Sequence, residues 1–113
     1  MYTANSPREL KRLMKEDKFP ILVTDEKTKG IVEILESLKS KGVLPTAKEE
    51  IKKAVASTLV SIIKPTTNAI SEPIILAIVT VSLTTIVALY ALYKNKNITW
   101  KVNPDGSIEL STN

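Results

Sequence analysis

The sequence predicts an α+β protein: a small β-α-β unit and a C-terminal β-hairpin forming a short sheet, accompanied by amphipathic helices and one long hydrophobic helix. Three observations carry this expectation. Ser6-Pro7-Arg8-Glu9 reads as a helix start followed by a compact apolar run at Phe19 to Thr24. Two period-two segments flank Asn103-Pro104-Asp105-Gly106 near the end of the chain. Between them, Pro73 to Tyr93 contains no charged residue and sits between Glu72 and Lys94.

The first helix follows from its ends. Ser6 can cap it, Pro7 suits its first position because that amide has no helical partner, and Glu9 can reach back to complete a capping box. Leu10, Leu13 and Met14 mark its apolar face, and it ends near Asp17. The run Phe19-Pro20-Ile21-Leu22-Val23-Thr24 is short and strand-like, with Pro20 near its start, where a missing amide does least harm. Tyr2-Thr3-Ala4 is its natural parallel partner across a right-handed crossover.

Thr24 or Asp25 can cap a second helix, on which Ile31, Ile34, Leu35 and Leu38 recur at helical spacing until Gly42 stops it. Thr46-Ala47-Lys48-Glu49 opens a third helix, which Pro65 ends after Lys64. Ile51, Val55, Leu59 and Ile62 line one of its faces, and Lys53, Ser57, Ser61 and Lys64 another. This helix fits two roles equally: an amphipathic element facing a core, or an interfacial one with Lys48, Lys52 and Lys53 near lipid phosphates. Its uncharged part, Ala54 to Ile63, covers about 15 Å, too little to cross a bilayer alone.

The segment from Pro73 to Tyr93 can form about twenty helical residues, the length that crosses a bilayer's hydrocarbon core. Eleven of its residues are Ile, Leu or Val, which at the membrane centre contribute roughly 3 to 7 kcal/mol toward insertion. The hydroxyls of Thr80, Ser82, Thr84 and Thr85 offset only part of this, since each can bond back to the preceding turn. Tyr90, Tyr93, Lys94, Lys96 and Trp100 cluster at its C-terminal end in the manner of membrane-interface anchors. Thr80, Thr84, Ala88 and Ala91 recur along it at helical spacing, as Ser57 and Ser61 do on the third helix. Small residues so placed let helices approach closely, so these are the candidate helix-packing and oligomer contacts. The expected organisation is an α/β cap over 1–45, a helical membrane-associated region over 46–93 with its span at 73–93, and a C-terminal β-hairpin over 94–113.

Two topologies are compatible with this reading. A single span places the parts before and after it on opposite sides, but Lys94, Lys96 and Lys101 then lie on the side that positive charge avoids. Alternatively, the third helix enters the membrane beside the long one, both ends return to one side, and the C-terminal hairpin joins the N-terminal strands in a single sheet. A hairpin alone is marginal in water, which favours such a union.

Composition limits the chemistry. Sixteen Lys and Arg against twelve Asp and Glu give a net charge of +4, with the signs interspersed, so no basic stripe points to nucleic acid. Cysteine and histidine are both absent, which removes disulfides, thiolate catalysis and zinc-thiolate sites. Glu33 with Glu36 reads as a solvated helix face, and Glu49 with Glu50 as first-turn charge. No nucleophile paired with a base, no phosphate-binding glycine loop and no metal-spaced cluster stands in the sequence, so the expectation is a protein without enzymatic activity, cofactor, metal or small-molecule substrate. The polar opening stretch lacks the apolar core region of a signal peptide, so the N-terminal part is expected to stay where it is made.

The order of Tyr2 to Leu10 with its Ser-Pro-x-Glu-Leu motif, Phe19 to Thr24, Ile74 to Tyr93 and Ile98 to Leu110 resembles a loose group of small uncharacterised bacterial membrane proteins. The resemblance implies membrane class and bacterial origin; with a signal-free N-terminal part, the expected place is the bacterial cytoplasmic membrane with that part in the cytoplasm. The leading expectation is a self-assembling membrane protein, its partners being lipid and further copies of itself, with the α/β cap as an interaction surface. A holin-like or pore-forming effector, and a soluble oligomer burying the hydrophobic helix, are the alternatives.

Overall fold

The computed structural model describes residues 1–63 and 83–112, with side chains between residues 56 and 63 excepted. Among the described residues, four helices and four strands follow in the order β1 (Tyr2–Ala4), α1 (Pro7–Lys15), β2 (Ile21–Val23), α2 (Glu26–Ser40), α3 (Lys48–Ile63), α4 (Leu83–Asn95), β3 (Ile98–Val102) and β4 (Ile108–Thr112). The protein is a small α+β fold with one mixed sheet.

Local chemistry sets most element ends. Ser6 accepts a hydrogen bond from the Glu9 backbone N–H at 3.1 Å and Pro7 opens α1, as its sequence requires. Asp25, rather than Thr24, caps α2: one carboxylate oxygen accepts from the Thr28 N–H at 3.0 Å and from the Thr28 hydroxyl at 2.8 Å. The Thr24 hydroxyl instead donates to Asn5. At the other end of α2, Gly42 adopts φ +69°, letting its N–H reach the Lys39 carbonyl and the Val43 N–H reach that of Leu38. This paired arrangement satisfies two carbonyls that the helix leaves without partners, and a side chain at Gly42 would oppose it.

The sheet has the strand order β1-β2-β4-β3. β1 pairs with β2 in parallel, Tyr2 opposite Ile21, and β2 pairs antiparallel with β4, Ile21 opposite Leu110 and Val23 opposite Ile108. The hairpin closes through Asn103-Pro104-Asp105-Gly106, with Gly106 at φ +90° and the Asn103 N–H bonded to the Ser107 carbonyl at 2.8 Å. Asp105 accepts from the Ser107 hydroxyl at 2.6 Å and from its N–H at 2.9 Å; these bonds hold its carboxyl below the ordinary carboxylate range.

The period-two alternation puts Ala4, Ile21, Val23, Ile98, Ile108 and Leu110 on one face, all buried under the helices. Thr3, Leu22, Glu109 and Lys101 form a row across the opposite face. The core draws on all parts of the chain: Leu10, Leu13 and Met14 from α1, Ile31, Ile34, Leu35 and Leu38 from α2, Ile51 from α3, and Ile86, Leu89, Tyr90 and Tyr93 from α4. The segments expected as cap, helical region and hairpin therefore share one core, and the cap and hairpin share one sheet.

Only part of the expected long hydrophobic helix falls within the described residues. Residues 73–82 of the expected span lie outside the described residues, and no helix among those described is long and apolar enough to cross a membrane. The C-terminal part of that stretch lies in α4, whose apolar face fills the space above the sheet against α1 and α2. Its hydrophobicity, read as a lipid signal, is spent on an internal core. Leu89 is completely buried there. Leu89→Ala should cost about 2 to 5 kcal/mol of stability by chemical denaturation, the range for deleting a large aliphatic side chain from a packed interior.

Candidate functional site

The residues singled out in α4 divide by helical phase. Leu89, Tyr90 and Tyr93 with Ile86 point into the core, whereas Thr84, Ala88 and Ala91 occupy the opposite side of the helix, Thr84 exposed and the two alanines half-buried. Spacings of four and three residues place these three on one stripe. That stripe has no large side chain of its own, so a neighbouring helix can approach its backbone closely. Thr80, expected to extend it, lies outside the described residues, as do the side chains of Ser57 and Ser61 on α3.

The stripe begins at a cleft of about 140 Å³ lined by Lys48 of α3 and Leu83, Thr84 and Val87 of α4. Leu83 is 36% exposed and Lys48 lies on the surface. This cleft lies between the first residue of α3 and the first turn of α4. The nineteen intervening residues, 64–82, include the apolar run Ile74 to Val81. Sequence reasoning did not single out Leu83, Val87 or Lys48 together, because Lys48 is far from the other two along the chain and only the packing of α3 against α4 joins them.

Of the candidate interface anchors, the two tyrosines are placed differently from expectation. Tyr90 and Tyr93 are both 0% exposed, so their rings lie in the core rather than on a surface that meets lipid headgroups. Each hydroxyl finds an internal acceptor: Tyr90 donates to the Val43 carbonyl and Tyr93 to the Glu36 carboxylate. A buried phenol requires such a partner, and the polar tip that suggested a lipid interface serves here as a tie to α2 and the segment after it. Lys94 donates to the same Val43 carbonyl at 3.2 Å, and Lys96 pairs with Asp17 at 2.5 Å. Lys39 lies 5.6 Å from the Tyr93 ring centre and donates to the Ile98 carbonyl at 2.8 Å, so the last turns of α2 hold both α4 and the start of β3. Trp100 is half-buried and packs against the core from the outer strand.

A second cleft, of about 110 Å³, lies between α2 and the hairpin and is lined by Glu26, Lys29, Gly30, Glu33, Val102, Gly106 and Ile108. Lys29 pairs with Glu26 at 2.8 Å and donates to the Gly106 carbonyl at 3.1 Å, fixing the hairpin turn to α2. Glu33 is exposed as a residue, yet its carboxyl loses water in this cleft. Burial raises its pKa above the ordinary 4.5, Lys29 opposes the rise and Glu26 adds to it. The raised value belongs to a carboxylate beside a lysine already held by two acceptors. No group of acidic residues spaced to hold a metal ion is present among the described residues.

No protein-family model, no curated protein and no solved structure matches this chain. The functional reading therefore rests on the geometry above.

The Glu33 shift has a direction that can be measured. A carboxyl whose folded pKa lies above its unfolded value favours folding most at low pH, and that contribution is lost as pH rises through the raised value. Glu33→Gln removes the loss. The melting temperature of the variant minus that of the wild type should accordingly grow from pH 4 to pH 7, and a constant difference would count against the desolvated carboxyl.

Proposed function

We propose that this protein is a non-enzymatic, membrane-associated protein that self-assembles, with its α/β body held at the lipid surface. The observation that carries the proposal is the pairing of β2 with β4. It joins the part of the chain before the apolar stretch to the part after it within one sheet, so both must lie on the same side of any membrane. A single crossing would have to break this sheet. The apolar sequence available for lipid is what remains once α4 has supplied the core. Ile74 to Leu83 is about ten residues, half of the roughly twenty a crossing takes. Ala54 to Ile63 provides a similar uncharged length at the end of α3.

The same arrangement brings Lys94, Lys96 and Lys101 to the side of the N-terminal part, which relieves the conflict between charge and topology that a single span carries. Self-assembly draws on the stripe of Thr84, Ala88 and Ala91, which turns away from the body's own core. The α/β body then projects its open sheet face and the outer strands from the lipid surface.

The chain has no cysteine, so single introduced thiols report topology cleanly. Thr3→Cys and Lys101→Cys stand on exposed positions on either side of the apolar stretch. In vesicles carrying the full chain, an impermeant maleimide added outside should label both variants to the same extent. Labelling of one and protection of the other would overturn the one-sided topology, and release of the protein by an alkaline wash would overturn membrane association itself. Ala88→Leu fills the stripe and should reduce crosslinked oligomers several-fold in the same vesicles; unchanged crosslinking would remove this face from the assembly. Dye escaping from loaded vesicles in proportion to bound protein would replace the scaffold reading with a pore-forming one.

A further inference from the structure

The hydrogen-bond directions of the sheet can be followed from strand to strand. The Tyr2 N–H bonds to the Pro20 carbonyl at 3.0 Å, so in the parallel pair Leu22 turns its backbone groups toward β1, while Ile21 and Val23 turn theirs toward β4. Their partners Leu110 and Ile108 face β2, which leaves Glu109 and Ser111 to bond Lys101 and Thr99 of β3. The bond from the Asn103 N–H to the Ser107 carbonyl fits the same alternation. The backbone N–H and C=O groups of Ile98, Trp100 and Val102 therefore point outward from the sheet. Among the described residues only the Ile98 carbonyl has a partner there, the Lys39 ammonium at 2.8 Å.

This edge differs from the other one. β1 has three residues and turns only the groups of Thr3 outward, too few to hold another strand. β3 has five residues with no proline inside it. Natural sheets protect such edges with proline, bulges, charged side chains or very short strands; of these β3 carries only Lys101, which lies on the open face opposite Glu109. On its helix side it leaves Val102 57% exposed and Trp100 half-buried, so apolar surface continues to the edge.

We propose that β3 is a self-pairing edge, and that two copies of the chain join antiparallel through it into a continuous eight-stranded sheet. A twofold axis at Trp100 sets each Trp100 opposite its counterpart, exchanging both backbone hydrogen bonds. Ile98 then lies opposite Val102 of the second copy, and Thr99 opposite Lys101 of the second copy. The Val102 N–H shares the Ile98 carbonyl with Lys39, which a carbonyl's two lone pairs allow. This register covers Val102 with Ile98 and avoids setting two lysines face to face. On the open face it continues the row of Glu109 and Lys101 into Thr99 and Ser111 of the second copy, so no like charges meet directly. Sliding the strands by two residues in one direction places Lys101 opposite Lys101, and in the other sets Val102 opposite Lys96 instead of Ile98, so charge and apolar cover together select the Trp100-centred register. The interface is separate from the α4 stripe.

The test is a charge series at Thr99, an exposed position outside the core. The purified full chain, in mild detergent, is examined by analytical ultracentrifugation across concentration. The wild type should dimerise. Thr99→Glu faces Lys101 twice across the axis and should tighten the dimer about fivefold, while Thr99→Lys should weaken it by a similar factor, two cross-strand charge pairs at their usual strength. Both variants should keep the wild-type far-ultraviolet circular dichroism and remain with vesicles after an alkaline wash, which separates this outcome from that of the membrane reading. In the wild type, amide exchange at Trp100 should slow as concentration rises. A chain that stays monomeric at all concentrations, or three equal dissociation constants, or Trp100 exchange that ignores concentration, would overturn the proposal.

Discussion

The antiparallel pairing of β2 with β4 is the constraint on which the rest of the structure depends. Three residues near the start of the chain meet three near its end, and a contact of such sequence separation costs chain entropy that the backbone hydrogen bonds of two short strands do not offset by themselves. What offsets it is the apolar face they make together. Ile21, Val23, Ile108 and Leu110 form a continuous patch, and α1, α2 and α4 cover it. The hairpin gains the neighbours it needs to be stable, and β2 becomes an internal strand with partners on both sides.

That union determines what the most hydrophobic stretch can do. A helix leading back to β3 must run beside the sheet it helps complete, so α4 has to contribute a core face. Ile86, Leu89, Tyr90 and Tyr93 supply it, and the tyrosine hydroxyls are absorbed by Val43 and Glu36. Burying a phenol without an acceptor would forfeit much of the gain from burying its ring. The residues on the far side of α4, Thr84, Ala88 and Ala91, are small and take no part in that core among the described residues. Among the described residues, this stripe and the open edge of β3 are two surfaces of different chemistry, one offering van der Waals approach and the other hydrogen bonds.

Much of the fold was legible because local rules acted alone. Ser6, Pro7 and Glu9 announced α1; Gly42 stopped α2 because only a left-handed residue lets two amides reach back to its last carbonyls; and Pro104 with Gly106 closed the hairpin. Asp25 won over Thr24 as the α2 cap through its two bonds to Thr28, a choice between neighbours that propensity leaves open. The candidate site was legible only in part. The spacing of Thr84, Ala88 and Ala91 is written in the chain, but Lys48 reaches the same cleft through packing. Tyr90 and Tyr93 looked like membrane anchors because an apolar body with a polar tip suits a lipid interface and a buried hydrogen-bonded site alike.

By itself the sequence determined the strands, the start of α1, the stop of α2, the turn and the absence of thiol and imidazole chemistry, since each depends on residue type and on spacings within a few positions. Tertiary structure decided which side of α4 is internal, that β1 and β2 share a sheet with β3 and β4, and that, among the described residues, β3 rather than β1 is the long edge strand. The physical reason is that burial of an apolar segment fixes no partner: lipid, another copy and the chain's own core all remove the same surface from water. Only the directional hydrogen bonds of the sheet, with the acceptors waiting at Val43 and Glu36, distinguish among them.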